Sequence, residues 1–389
     1  MRDPAFALLP VSDRADRTVA WLVDLPLGST DGAAVLERVA DTDDLLRLGG
    51  GRPLLLPIPA SLARSVLARR AKPGLLVPLI DSDTVSELDP ALLRRAPGST
   101  TPPSVGVYSR RPSYIPPRAW ARAWCVVPDA ELKQWQAVAS TGVVPVLPGG
   151  ETRAARRTSW QIPQAHVAGP PLPAALVRDD VQVQAVLRMM RVLAQLAEGR
   201  GGATELEALA EEDGTLSKEL QHAVASSGVT ARPMTGGAAA TVAMRVLGRD
   251  TILHRLAAVI ARRSGDLSAM PDLSPQLLVR ASLARECVLG DVRGQHTPMA
   301  YAAGLLSMLD VVIAQPVAAL LDRLALGPLM QQALLDRTGP IGDALDAADA
   351  IANGWWADAA SRRPIEQMGA MVREAWRTAR RDLIALRTT

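Results

Sequence analysis

Proline is spread so unevenly that it divides the chain before any motif is considered. Of the 30 prolines, 22 lie between Pro4 and Pro173, and eight lie in the remaining 216 residues. Proline lacks a backbone donor and breaks helix interiors and central strands. The first part must therefore consist of short elements separated by turns, whereas the second has room for long helices. A chain of 389 residues exceeds one typical domain, and each part is long enough to bury its own core. The expected domains are 1–173 and 174–389.

Five apolar runs in the first part, at 18–25, 53–58, 75–80, 123–127 and 143–147, are bounded by Pro, Gly or Asp and read as buried strands. Helix-like stretches at 33–48, 60–71 and 129–140 lie among them. Strands alternating with helices imply an α/β layout with a parallel sheet or barrel. From about residue 181 the hydrophobic period becomes helical. Val183, Val186, Leu187, Met190, Leu193, Ala194 and Ala197 fall on one stripe, with Gln184, Arg188, Arg191, Gln195 and Glu198 opposite.

Further helix signals follow. Thr204 with Glu207 predicts a capping box, and Ser274-Pro275 predicts an N-cap followed by a first-turn proline. Gly327-Pro328 predicts the stop of one helix and the start of the next. Ile365, Met368, Val372, Ala375, Ala379, Leu383 and Leu386 describe a long amphipathic C-terminal helix. Its Arg373, Arg377, Arg380, Arg381 and Arg387, interspersed with Glu374 and Asp382, predict a solvated face. No repeat of 20 to 50 residues is present, which argues against a solenoid.

Composition excludes several function classes. Formal charge is only +3, from 43 Lys+Arg against 40 Asp+Glu, so there is no basic excess of the kind that marks a nucleic-acid binder. Cys125 and Cys287 are the only cysteines and form neither a CxxC motif nor a disulfide framework, which fits a reducing cytoplasm. The N-terminus lacks a signal-peptide apolar region, and the apolar runs are interrupted well short of about 18 residues. Neither secretion nor membrane insertion is expected. The glycine runs 49–51, 149–150 and 236–237 match no phosphate-binding pattern. His166, His222, His254 and His296 include no His-Asp dyad, no HExxH and no i,i+4 pair. With a single Phe in the chain, Trp120, Trp124, Trp135 and Trp160 are expected to fill the core of the first domain.

One segment goes beyond generic helix. Ala303-Gly304-Leu305-Leu306-Ser307-Met308-Leu309-Asp310 is followed by Gln315-Pro316, Leu324-Ala325-Leu326-Gly327, Ala333-Leu334-Leu335 and Gly339-Pro340-Ile341-Gly342. This resembles the HDOD domain of bacterial EAL–HDOD signalling proteins, whose pattern is GLLS-x-LD, a short gap, L-x-L, an AL helix and a G-x-x-G turn. Upstream, Asp213-Gly214-Thr215-Leu216-Ser217 resembles the family's D-P-x-L-S step, with Gly214 in place of Pro. Leu247-Gly248-Arg249 resembles its L-G-R step, and Arg280-Ala281 with Arg285-Glu286 its R-A-x-x-x-E helix. The likeness runs in order from about 181 to 356. HDOD domains share helical architecture with HD-GYP phosphodiesterases but lack their metal ligands, so the resemblance implies an interaction or output module.

Residues 1–173 occupy the place of the EAL domain. Residues 17–27 resemble its first strand, and Gln161-Ile162-Pro163 through Gly169-Pro170 resembles the end of its barrel. An active EAL enzyme holds two metal ions on carboxylates at strand ends. Here the Glu-Ala-Leu tripeptide is missing, Ala20-Trp21-Leu22-Val23 has no Glu, and Asp43-Asp44 reads as helical. The stretch is also short for an eight-unit barrel of about 250 residues.

The expected fold is thus an α/β N-terminal domain, a degenerate and truncated EAL-like β/α barrel, followed by an all-α HDOD-like domain. The expected function is a non-catalytic cytoplasmic signal-transduction regulator that binds protein partners and needs no cofactor. Asp213, Leu216, Ser217, Gly248, Arg249, Arg280, Glu286, Gly304, Ser307 and Asp310 carry the HDOD resemblance. The alternative is an effector that binds cyclic di-GMP without cleaving it, through Arg110, Arg111, Arg153, Arg156 and Arg157 near loops. A residual phosphodiesterase is the third reading, and self-association is left open.

Overall fold

The computed structural model describes residues 5–26, 52–63, 76–88, 105–128, 130–149, 152–172, 180–228, 235–267, 273–288 and 294–387. The chain divides into two compact units. The first comprises 1–172 with 351–357 and 365–370, and the second comprises 173–350, 358–364 and 371–389. The helix expected at 33–48, with its Asp43-Asp44, and residues 64–71 of the stretch at 60–71 lie outside the described residues.

The first unit contains a closed barrel of eight strands in sequential order. They are β1 (Ala7–Ser12), β2 (Thr18–Asp24), β3 (Leu54–Ile58), β4 (Leu76–Asp81), β5 (Gly106–Tyr108), β6 (Trp124–Val126), β7 (Val144–Pro148) and β8 (His166–Ala168). Helices α1 (Leu132–Ser140) and α2 (Arg153–Ser159) follow β6 and β7. From β2 to β8 every neighbouring pair is parallel. β1 runs antiparallel to both β2 and β8 and so closes the barrel.

Each of the five expected strands is present, within two residues at either end. β1, β5 and β8 escaped the sequence reading because Pro10 interrupts the first and the other two are only three residues long. The expectation of a truncated barrel is corrected: the described strands close a barrel of eight, and some of the described connections are short. Between β5 and β6, for example, the chain makes only a single 3-10 turn, Arg118–Trp120. Prolines also enter the strands themselves, at Pro10, Pro57, Pro78, Pro145 and Pro148. Each removes one ladder donor. β3 is buried on both faces, with all five residues of Leu-Leu-Leu-Pro-Ile buried. Trp120 and Trp135 are buried in this unit, while Trp124 and Trp160 are half-buried.

The turn between β1 and β2 is set by Asp13. Its Oδ1 accepts from the backbone N–H groups of Ala15 (2.8 Å) and Arg17 (3.0 Å), and Asp16 takes the left-handed conformation at φ 56°. An Asx turn of this kind reverses the chain within four residues and permits the antiparallel start.

The remaining elements are helices: α3 (Asp180–Glu198), α4 (Ala203–Glu212), α5 (Gly214–Ser226), α6 (Gly237–Leu267), α7 (Leu273–Glu286), α8 (His296–Leu306), α9 (Leu309–Ile313), α10 (Val317–Leu324), α11 (Pro328–Leu335), α12 (Gly339–Ala352), α13 (Trp356–Arg362) and α14 (Ile365–Arg387). All seven stripe residues of α3 are buried. The long α6 packs against α3, α4, α5 and α7, and forms the spine of the second unit. Residues 296–313 are long and apolar enough to cross a membrane by length and composition, yet 78% of that window is buried inside the protein.

Three expected caps are corrected. α4 starts after Gly202 at φ 92°, so Thr204 lies inside the helix, and Glu207 accepts from the Thr241 hydroxyl (2.7 Å) instead of closing a capping box. Ser274 lies within α7 and donates to the Ala261 carbonyl (2.8 Å). Gly327 does cap α11, with Pro328 in its first turn, but α10 is stopped earlier by Ala325 in the left-handed conformation.

Helices α7 and α8 approach each other closely at Gly304. A Cβ at Gly304 would lie 2.8 Å from Ala281 Cα and 2.9 Å from the Arg280 carbonyl oxygen, which is backbone that cannot yield. Gly304→Val is expected to lower stability by about 1–3 kcal/mol through overpacking. The check is the urea midpoint followed by far-ultraviolet circular dichroism.

Candidate functional site

The parallel strands β2 to β8 all deliver their C-terminal ends to one mouth of the barrel, the end at which barrel proteins carry their functional side chains. Asp24 ends β2, Asp81 ends β4, and Ser109, Arg110 and Arg111 follow β5. The ladder continues past the strands, with Ser82 N–H donating to the Tyr108 carbonyl and Ser109 N–H to that of Val126, both at 2.9 Å. The hydroxyls of Ser82 and Ser109 are 2.8 Å apart, and Ser109 Oγ accepts from Arg111 N–H (3.1 Å). Arg111 Nη2 pairs with Asp83 Oδ1 at 2.7 Å, with both side chains well exposed.

Arg110 reaches further. Its Nη2 lies 3.4 Å from the Pro26 carbonyl oxygen, beyond the end of β2. Since β5 and β2 are three strands apart in the barrel order, this guanidinium crosses the mouth to reach Asp24's side. Burial pushes the Asp24 carboxyl up to about 6, against the opposing effects of the Trp356 indole N–H (2.8 Å to Oδ2), the Leu25 backbone N–H and the Arg110 charge.

The five arginines grouped by sequence do not form one site. Arg110 and Arg111 sit at the mouth, whereas Arg153, Arg156 and Arg157 belong to α2. Arg157 is exposed. Arg156 is only 1% exposed, with Nη1 on Asp16 Oδ1 (2.8 Å) and Nη2 on the Pro170 carbonyl (2.5 Å). Its phosphate-binding role is corrected: a guanidinium that deep must have fixed partners, and these tie α2 to the β1–β2 turn and the end of β8.

In the second unit, the residues that carried the resemblance hold helices to one another. Asp213 caps α5, its Oδ1 accepting from Thr215 N–H (3.0 Å) and Leu216 N–H (3.1 Å), and it pairs with Arg263 of α6. Leu216 is fully buried, and Ser217 Oγ accepts from Gly236 N–H (2.9 Å) just before α6. Gly248, at φ 75° and ψ 166°, breaks α6 into two segments, and the partly exposed Arg249 follows it. Arg280 donates from Nε to Ser307 Oγ (2.9 Å) and pairs with Asp349 of α12. Ser307 Oγ donates in turn to the Gly304 carbonyl (2.8 Å). Asp310 accepts from Val311 N–H (2.9 Å) in the first turn of α9. Glu286, half-buried at the end of α7, has its carboxyl raised by burial.

Beside Asp213 lies a cleft of about 470 Å³ between α3, α4 and α5. Val181, Ala185, Met189 and Leu209 supply its apolar lining, and its charged lining is Lys218 with the pairs Arg188–Glu212 and Arg263–Asp213. It adjoins a second depression that adds Val186, Val259, Arg262 and Asp266.

One constellation was not foreseen. Asp382 Oδ2 accepts from His254 Nδ1 (2.9 Å) and from the Tyr301 hydroxyl (3.2 Å), and Arg285 Nη1 lies 3.2 Å from His254 Nε2. A guanidinium can only donate, so Nε2 accepts and the imidazole hydrogen is on Nδ1. The expected solvated position of Asp382 is corrected, since it is 5% exposed. Its interval of three from the buried Ala379 was the available signal, for it continues the inward stripe Met368, Val372, Ala375. Burial raises the Tyr301 phenol well above its ordinary range. Among the described residues, no group of three or more His, Cys, Asp or Glu side chains is arranged to hold a metal ion. Comparison of the chain with protein-family models, curated proteins and solved structures finds no match.

Two predictions follow from this geometry. A carboxyl raised to about 6 in the folded protein and near 4 when unfolded contributes stability that is full below about pH 4 and lost as pH rises through 6. Asp24→Asn should flatten that window and stabilise the protein at neutral pH by about 2–3 kcal/mol, read as urea midpoints against pH. Asp382→Leu strands two buried donors and should cost about 2–4 kcal/mol. Arg377→Gln, on the exposed face of the same helix, should stay within about 0.5 kcal/mol.

Proposed function

We propose that this protein is a non-catalytic signal-transduction regulator of the EAL–HDOD type, acting in the cytoplasm through a protein partner bound by its helical unit. The observation that carries this reading is how the HDOD-like residues are used. Asp213, Ser217, Arg280, Gly304 and Ser307 make contacts that fix helix positions. What such a scaffold offers to other molecules is its surface. The cleft beside Asp213, where the exposed Val181 adjoins Lys218 and the Arg188–Glu212 pair, mixes apolar and charged side chains in the way that suits a polypeptide. No cofactor, nucleic acid or membrane enters this reading.

A second reading, a cyclic-di-GMP effector without hydrolysis, is favoured by Arg110 and Arg111 at the barrel mouth. Arginine forks match phosphate oxygens, and Arg110 reaches from the end of β5 to the Pro26 carbonyl beyond β2.

Calorimetric titration of the full chain with cyclic di-GMP in Mg²⁺ or Mn²⁺ buffer, followed by chromatography of the mixture, separates these. Recovery of intact dinucleotide with no heat is the expected result for the adaptor. Heat with intact dinucleotide establishes the effector instead, with Arg110→Ala expected to abolish it. Appearance of the linear product overturns both and makes the protein a phosphodiesterase.

A further inference from the structure

Asp24, at the end of β2, is covered by a turn from far along the chain that belongs to the same compact unit. Gly354 takes φ 71° and comes so close that a Cβ there would lie 2.3 Å from Asp24 Oδ2. The left-handed backbone favours glycine, and any side chain there would have to displace the Asp24 carboxyl. Trp356, 8% exposed, donates its indole N–H to the same oxygen over 2.8 Å. The turn is closed by its own backbone, with Trp356 N–H on the Gly354 carbonyl (2.9 Å) and Gly354 N–H on that of Ile351 (3.3 Å). The charged group acting on Asp24 is Arg110, whose guanidinium reaches the neighbouring Pro26 carbonyl. The residue opposite Asp24 on β1 is the uncharged Ala7.

We propose that the Gly354–Trp356 turn is a built-in plug, anchored on Asp24, that competes with a phosphate-bearing ligand for the Arg110 side of the barrel mouth. The competition rests on reading the mouth as a ligand site; the anchor does not. Three features set the plug apart from an ordinary surface loop: the glycine that lets it approach, the indole donor that locks it, and its position beside the arginine that crosses the mouth. A ligand phosphate drawn to Arg110 must pass the indole or displace it. Burial raises the Asp24 carboxyl while the indole N–H favours the carboxylate, so the indole that anchors the turn also reports the ionisation of Asp24.

Two experiments test the proposal on the full chain. In proton–nitrogen correlation spectra, the Trp356 indole signal is identified by its loss in Trp356→Phe. It should shift with a midpoint near pH 6 and stay flat in Asp24→Asn; a flat wild-type trace overturns the anchor. Calorimetry with cyclic di-GMP then compares wild type with Gly354→Ala, whose added methyl pushes the turn off Asp24, and with Trp356→Phe. Both variants should bind about tenfold more tightly, since a largely plugged population masks the intrinsic affinity. Binding with equal affinity overturns the plug and leaves the ligand reading intact. Binding by none of the three overturns the ligand reading and the competition with it, and the indole trace still decides the anchor.

Discussion

β1 is hydrogen-bonded on both sides, antiparallel to β2 and to β8, and the geometry of the first unit depends on that double pairing. A parallel sheet left open would expose two edges. Closing it with one reversed strand, turned by Asp13, leaves seven strands pointing the same way and delivers their ends to one mouth. Asp24, Asp81, Ser109, Arg110 and Arg111 come from three different strands and lie at the same end of the barrel for that reason. Arg156 supports the closure from outside, joining α2 to Asp16 in the same turn and to the Pro170 carbonyl after β8.

The helical unit solves a different problem, which is how to bury charge between helices. Every deeply placed ionic group described above is matched: Asp213 with Arg263 and two helix N–H groups, Arg280 with Asp349 and Ser307, Asp382 with His254 and Tyr301. Arg363 shows the same principle without a carboxylate. Its guanidinium donates to the Cys287 carbonyl, at the C-terminal end of α7, where the helix dipole is negative. Burying unmatched charge is far more costly than burying a satisfied pair. These pairings therefore specify which helices meet, even where they add little net stability. The close approach at Gly304 then sets how near α7 and α8 lie.

The two units offer different surfaces to the outside. At the barrel mouth the exposed chemistry is arginine and carboxyl, with one carboxyl held by an indole from the Gly354 turn. Beside Asp213 it is a cleft of mixed apolar and charged side chains.

Much of the architecture was legible without coordinates, because periodicity and proline are local properties. Five of the barrel strands, the buried stripe of α3 and the helical nature of the second part all follow from spacing along the chain. Local signals failed where the outcome depended on distant partners. Pro10 disguised β1, whose pairing with β8 joins residues more than 150 positions apart. Asp382 looked solvated because its neighbours Arg377 and Arg381 are, and only the arrival of His254 and Tyr301 makes its burial tolerable. Thr204 and Ser274 looked like caps, yet their helices begin elsewhere and their surroundings supply other bonds. Arg156 and Arg110 are indistinguishable as letters; one became part of the barrel wall and the other crosses its mouth. Secondary structure and the inward stripes were determined by the sequence alone, since they depend on the next few residues. Which charges are buried, and which face a ligand, was decided by tertiary structure, because a charge takes its meaning from groups the fold brings to it from far along the chain.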